Sequence, residues 1–258
     1  HNTHAKLALQ CLRAGRSVVC EKPLAITTAE CDAMIAAAGR SDVLLSTYHN
    51  RHWDGCILAA MAQTRSGQIG EIYRVEAHVG GHGQPGDWWR TSKTVSGGIL
   101  YDWGVHLLEY SLQLLGADIA EVAGFAHTGY WAPRTAWKDD THEDEGLAVV
   151  RFAGGKWLTL SISCLDSHPK RGMLEVTGTK GTLIMEGSHN EVITHDGPHV
   201  ITTRYKNPDS EGWRFYQNVA DHLVKGTPLV ITPEWARRPI HIIDLANRSA
   251  RLGRAVRA

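Results

Sequence analysis

The order of apolar runs and glycine stops predicts an α/β unit followed by an α+β unit. Up to about residue 66, helical and strand-like patterns alternate, and the strands are short continuous apolar runs, as in a parallel sheet covered by helices. From residue 67, strand-like segments follow one another across short turns, which gives a mostly antiparallel sheet with helices on one face. Helical periodicity returns over residues 212–225 and 234–252.

Residues 4–14 carry Ala5, Leu7, Ala8, Leu9, Cys11 and Leu12 and stop at Gly15, as a helix does. Ser17-Val18-Val19-Cys20 is a Val-rich strand that breaks off at Glu21-Lys22-Pro23. Pro23 disfavours the helical region for Lys22 and keeps it extended. Thr27 and Glu30 make a capping-box start for a helix expected to run to about Ala38 and to stop at Gly39. Residues 43–48 form a second strand. Ligands of such sheets gather beyond the carboxyl ends of the strands, where Glu21 and Lys22 fall.

The chain changes character near Ser66-Gly67-Gln68-Ile69-Gly70, so residues 1–66 are read as one unit and 67–233 as a second. The final helix, 234–252, is expected to pack back on the first. Strands are expected over 71–79, 121–127, 146–152, 157–164, 171–176, 181–186, 192–195 and 200–205. Gly154-Gly155 and Thr179-Lys180-Gly181 read as turns between them. In Trp157-Leu158-Thr159-Leu160-Ser161-Ile162-Ser163, both faces carry apolar or small residues. The open face is therefore expected to be buried between copies of the chain.

Residues 96–106, Ser-Gly-Gly-Ile-Leu-Tyr-Asp-Trp-Gly-Val-His, speak most directly to chemistry. Two glycines let the chain turn tightly into a helix expected over 97–115. Asp102 and His106 stand four apart, which places them on one helical face. A carboxylate and an imidazole converging on one spot can move a proton at neutral pH, and a purely structural Asp–His contact is the other reading.

Several classes are disfavoured. Lys plus Arg equals Asp plus Glu, 27 each, with no basic block to hold nucleic acid. No apolar run approaches membrane-spanning length and no signal peptide is visible, so no membrane partner is expected. The five cysteines are scattered without a Cys-x-x-Cys pair, as idle thiols in a reducing cytoplasm would be. His78 and His82 straddle a strand end and a glycine loop, so with Asp102 and His106 they are not expected to bind a metal. Asp139-Asp140 and His142-Glu143-Asp144-Glu145 read as a solvated loop. Gly81-His82-Gly83-Gln84-Pro85-Gly86 spells a dinucleotide fingerprint, but Pro85 lacks an N–H and no amphipathic helix follows, so it reads as a plain glycine-rich loop. Trp88-Trp89-Arg90 after it reads as a loop anchored by aromatics.

His1 to His4, Glu21-Lys22-Pro23, Gly97 to His106, Val176 to Leu183 and Thr232-Pro233-Glu234 with its helix lie in one register. Together they resemble the motifs of the glucose–fructose oxidoreductase / inositol dehydrogenase / rhizopine-catabolism (Gfo/Idh/MocA) family. His1 stands where that family usually has Asn, Ser96 where a first glycine is common, and Glu109 where an Asp often follows the His. None of these departures removes a catalytic group.

The resemblance implies an NAD- or NADP-dependent oxidoreductase acting on a hydroxyl or ketone carbon of a sugar or cyclitol. In that reading Lys22, Asp102 and His106 are catalytic, and Glu21, Lys22, Asn50, Trp89, Arg90 and Tyr216 contact the cofactor. His106 takes the hydroxyl proton, Lys22 donates to the same oxygen, and Asp102 orients substrate or tunes His106. Homodimers or homotetramers through the sheet are implied as well. That family opens with a strand, a glycine-rich turn and a helix that hold the pyrophosphate. The chain is therefore expected to contain the C-terminal part of a Rossmann-like sheet, lacking roughly two βαβ units, about 60–80 residues. By itself it is expected to bind the dinucleotide poorly and to lack dehydrogenase activity. A lyase or isomerase built on the same three residues, with or without an internally recycled nicotinamide, a non-catalytic binding relative and a metal-dependent hydrolase are the alternatives.

Overall fold

The computed structural model describes residues 1–258. The chain begins with α1 (His4–Arg13), β1 (Val18–Cys20), α2 (Thr28–Ser41), β2 (Leu45–Thr47) and α3 (Gly55–Arg65). β1 and β2 pair in parallel, Val18 opposite Leu45 and Cys20 opposite Thr47. The capping box forms: Glu30 N donates to Thr27 Oγ1 at 3.2 Å and Thr27 N to Glu30 Oε2 at 3.1 Å. The end of α2 differs from expectation. The helix runs through Gly39 to Ser41, and Asp42 takes the left-handed cap at φ 50°. A short polar side chain tolerates that conformation, so no glycine is needed there.

The second part comprises β3 (Ile72–Gly80), α4 (Lys93–Ser96), α5 (Trp103–Leu115), β4 (Ile119–His127), β5 (Glu145–Phe152), β6 (Trp157–Ser163), β7 (Leu174–Gly178), β8 (Gly181–Met185), β9 (His189–Asp196) and β10 (His199–Lys206). α6 (Arg214–Lys225), α7 (Pro233–Leu252) and β11 (Val256–Arg257) complete the chain. β3 to β11 make one nine-stranded sheet, ordered β10-β9-β8-β7-β3-β6-β5-β4-β11. It is antiparallel throughout except where β3 meets β6.

One directly opposed row crosses the sheet: Val192, Leu183, Val176, Val75, Leu158, Val150 and Val122. Each of these side chains is at most 3% exposed, and each contributes about 1.5–3 kcal/mol by leaving water. α3 covers this face over β8 and β9, α5 over β3 and β6, and α7 over β4 and β5. By packing, then, α3 belongs to the large sheet, although the sequence grouped it with residues 1–66; Asn190 Nδ2 on β9 donates to Cys56 O at 3.0 Å and fixes it there. α7 touches α2 and β2 as well as the sheet.

The opposite face is half apolar and half ionic. Phe125, Ala123, Leu147, Val149 and Trp157 lie over β4 to β6. Over β3 and its far-side neighbours Arg74 meets Glu76 at 3.3 Å and Glu175 at 3.4 Å, and Lys170 meets Glu76 at 3.0 Å. No helix is long and apolar enough to cross a membrane.

The segment expected as one helix over 97–115 is three pieces. Gly97 at φ 94° and Gly98 at φ 126° turn the chain, Ile99–Tyr101 forms a single 3-10 turn, and α5 starts only at Trp103. Glu143 Oε2 accepts from Ile99 N at 3.0 Å, which satisfies an amide that the broken helix leaves without a partner.

Candidate active site

β1 ends at Cys20, and Glu21 and Lys22 leave the parallel pair at its carboxyl edge. Tyr101 Oη donates to Ile26 O at 2.6 Å, pinning the loop after Pro23 to the turn that precedes α5. With both segments fixed, Lys22 Nζ reaches Asp102 Oδ1 at 2.5 Å and the Asp102 carbonyl at 3.4 Å. Arg90 Nε stands 3.6 Å from the same carboxylate oxygen. The Arg90 guanidinium is held between two indoles, 4.6 Å from the Trp88 ring and 4.5 Å from that of Trp89. One carboxylate thus faces two cations, and the group is net positive.

The continuous helix that the spacing assumed for Asp102 and His106 does not form. Asp102 is not on the helix; it precedes it at φ −89° and ψ −84°, and its carboxylate is engaged by Lys22. His106, in the first turn of α5, is 6% exposed. Its Nδ1 is buried without a partner, which leaves Nε2 as the nitrogen open to a ligand. Burial above all, then the charges of Lys22, His49 and Arg51, push its pKa down to about 2. His106 is therefore a neutral imidazole, able to accept a proton.

His49 was not singled out by the sequence. It follows β2 by two residues, at the same carboxyl edge as Lys22, and that position was the only available signal. It is buried with neither ring nitrogen hydrogen-bonded, and burial pushes its pKa down to about 4. Behind it, Glu109 accepts from His52 Nδ1, from Gln113 Nε2 at 3.0 Å and from Trp235 Nε1 at 3.2 Å. That buried carboxylate fixes the α5 turn that carries His106 against α7.

Of the residues expected at the cofactor, Glu21 is exposed at the end of β1, and Asn50 opens a 3-10 turn after β2. Trp89 and Arg90 lie on the Asp102 side. Tyr216, on α6, packs on Tyr48 with ring centroids 5.3 Å apart. His78 is elsewhere: it projects on the open sheet face and its Nε2 bonds to Lys170 O at 2.8 Å. No three His, Cys, Asp or Glu side chains converge as metal ligands would.

The solvated loop expected at 142–145 is instead largely buried. Glu143 accepts from Lys93 Nζ at 2.7 Å as well as from Ile99 N, and Asp144 accepts from Tyr130 N at 2.7 Å and Trp131 N at 3.0 Å. Donors on every side offset the cost of burying both carboxylates. A cavity of about 490 Å³ opens between this segment, the glycine loop 80–86, Arg90, Asp102 and Trp103. The glycine loop leads only into the short turn Trp89–Thr91 and offers no helix N-terminus, in keeping with its reading as a plain glycine-rich loop.

Residues 57–184 match the family model described as the GFO/IDH/MocA C-terminal domain, and residues 1–49 match that of the oxidoreductase family with an NAD-binding Rossmann fold. The scyllo-inositol 2-dehydrogenase (NADP(+)) of Bacillus subtilis is 24% identical over 98% of the chain and 75% of its own length. The myo-inositol 2-dehydrogenase of Thermotoga maritima is 29% identical over 72% of the chain and 54% of its own length. Other relatives are matched over as little as 31% of their length. The solved structure of the putative oxidoreductase yvaA from Bacillus subtilis superposes with a TM-score of 0.85 at 21% identity, over 100% of this chain and 78% of that one, which shows the fold.

Proposed function

The chain belongs to the Gfo/Idh/MocA family of oxidoreductases, and from that premise we propose that it works as an NAD- or NADP-dependent dehydrogenase of a sugar or cyclitol hydroxyl. The observation that carries this reading is the Lys22–Asp102 pair, 2.5 Å long, set at the carboxyl edge of β1 beside an imidazole whose Nε2 is free. The inositol-acting relatives support the substrate class.

The residues present fit a nicotinamide. Glu21 and Asn50 stand at the carboxyl edge of the parallel pair, where a dinucleotide lies in such sheets, and Trp89 and Tyr216 offer partly exposed aromatic surface. When bound, the nicotinamide supplies the hydride acceptor or donor.

The protein's own residues do the rest. His106 Nε2 accepts the proton of the reacting hydroxyl, as only a neutral imidazole does. Lys22 donates to the same oxygen and stabilises the charge that develops on it. Asp102 holds the ammonium in place, leaving its remaining hydrogens for substrate. Arg90, braced by two indoles, helps to orient the Asp102 carboxylate. In ketone reduction the same groups run in reverse: imidazolium returns the proton to the alkoxide.

We also place homo-oligomerisation on the apolar half of the open face, around Phe125, Leu147, Val149 and Trp157, and the chain in the cytoplasm, where its five free cysteines stay reduced. Sedimentation of a Phe125→Glu variant tests the first: it should shift the protein to a smaller species, and an unchanged mass would remove this face as the interface.

The function itself is tested on the full-length protein with NAD+ or NADP+ and a panel of inositols and aldoses, following the absorbance of the reduced nicotinamide. Turnover that His106→Ala abolishes supports the reading. Absence of reduction across the panel, with product formed by elimination or isomerisation instead, would overturn it.

A further inference from the structure

Three buried residues around the end of β2 and the start of α5 carry polar atoms without a hydrogen-bond partner. They are Thr47 at Oγ1, His49 at both ring nitrogens and His106 at Nδ1. Buried polar atoms are as a rule paired, so a group of orphaned ones beside a reacting base asks for an account.

The tautomer of His106 supplies one. A neutral imidazole carries a single ring proton. For Nε2 to accept a proton from substrate, that ring proton must sit on Nδ1, and a buried Nδ1–H needs an acceptor. Asp102, which the spacing offered for tuning His106, has its carboxylate on Lys22 at 2.5 Å, and it does not bond to Nδ1. The titratable groups whose charge reaches His106 are Lys22, His49 and Arg51, and the Trp103 ring stands 5.8 Å from its own at 66°. Lysine, arginine and indole nitrogens only donate. Among these neighbours His49 alone brings an in-plane lone pair.

The backbone holds His49 in place for that role. Tyr48 N donates to Cys20 O at 2.8 Å and His49 N to Thr47 O at 2.7 Å, which ties the chain after β2 to the end of β1, two residues before Lys22. Tyr48 packs on Phe215 and Tyr216 of α6, with ring centroids 5.1 and 5.3 Å apart. The charged and titratable groups facing His49 are instead Glu109, His52 and Lys22. Glu109 already accepts from His52, Gln113 and Trp235, whereas Thr47 Oγ1, two residues back along the strand, is an acceptor with no donor.

We propose that His49 accepts the Nδ1–H of His106 and that Thr47 Oγ1 accepts from the other nitrogen of His49, so that the orphaned atoms form one chain. This rests on the reading of His106 as the base. His49 is then a positioning residue, fixing the tautomer that leaves the Nε2 lone pair to substrate. Such bonds are commonly long before substrate is bound and tighten in the complex. As Nε2 takes the hydroxyl proton, positive charge spreads to Nδ1–H and its bond to His49 becomes charge-assisted, hence stronger in the transition state than before it.

The experiment reads the tautomer directly on the full-length protein labelled with ¹⁵N-histidine, with the His106 signals identified by their loss in His106→Ala. Long-range ¹H–¹⁵N spectra at pH 7 should show the proton on Nδ1 of His106. His49→Phe, which keeps a planar ring without an acceptor, should move it to Nε2 and lower kcat about 10–100-fold with dinucleotide Kd within twofold of the parent. His49→Gln, whose amide oxygen accepts, should keep the proton on Nδ1 and turn over at least tenfold faster than His49→Phe. Where His49→Phe fails to show a native circular-dichroism spectrum, His49→Met takes its place under the same criteria. A parent proton on Nε2, an unmoved proton in His49→Phe, or a His49→Gln no faster than His49→Phe overturns the proposal. The expected tautomer shift in a protein that reduces no nicotinamide with any polyol leaves the hydrogen bond standing and overturns the redox reading instead.

Discussion

Lys22 and Asp102, eighty positions apart in sequence, form an ion pair of 2.5 Å in which the lysine side chain is 13% exposed and the carboxylate 37%. The carboxylate is the wetter partner and is shared with Arg90, so substrate can reach the pair without breaking it. Removing Asp102 leaves two cations facing each other across a part-buried site. Asp102→Asn is therefore expected to lower kcat by roughly 10–100-fold, as loss of an orienting group does, with thermal midpoint little changed. A kcat within twofold of the parent in steady-state assays would show that Lys22 positions itself.

Lys22→Met keeps the length and apolar stem and removes the charge. The chemical step should slow more than cofactor affinity falls, because the ammonium acts on the reacting oxygen. Single-turnover rates set against dinucleotide titration decide this. Equal losses in both would make Lys22 a cofactor anchor.

His106→Ala should cost about 10²–10⁴-fold in turnover with the fold intact. The pH profile adds a second reading. With its pKa pushed down to about 2, the base form persists through mild acid. The acid limb of kcat/KM for oxidation should lie below about pH 5 rather than near the usual imidazole value of ~6.5. A limb centred near 6.5 would identify a different base.

His49 and His106 are both buried and both titrate below the ordinary range, at about 4 and about 2. Between those values and ~6.5 the unfolded chain binds more protons than the native one, so stability rises with pH there. The contribution is complete above about pH 7 and is lost as pH falls toward the native values. Unfolding free energies from urea titrations at pH 7 and pH 5 should differ by about 2 kcal/mol for each such histidine. His49→Gln should flatten that dependence; an unchanged slope would show that His49 is not buried neutral.

Two glycines separate conformational need from mere space. Gly98 sits at φ 126°, and a Cβ there would lie 2.7 Å from Glu143 Oε2, so Gly98→Ala should destabilise by about 1–3 kcal/mol. Gly39 lies inside α2 with nothing within 4 Å of a built Cβ. Gly39→Ala should stabilise by about 0.5–1 kcal/mol. Chemical denaturation of both variants gives the comparison, and the same sign for both would contradict it.

The sequence by itself determined the elements and the chemical inventory. Val18-Val19-Cys20, the Thr27–Glu30 box and the alternation of Leu158, Leu160 and Ile162 are local signals, and strand period and capping act over only a few residues. The motif residues Lys22, Asp102 and His106 were legible for the same reason, each lying in a short stretch of distinctive composition. Spacing failed where a helix was assumed. Asp102 and His106 share a face only if residues 97–115 are continuous, and Gly97, Gly98 and the Glu143–Ile99 bond break that segment. Only the tertiary structure decided that Asp102 serves Lys22, that His49 lies buried beside His106, and that Glu143 and Asp144 are buried acceptors. These facts depend on which distant segments meet. An acidic run reads as solvated until its donors, Lys93, Tyr130 and Trp131, are brought to it by the fold.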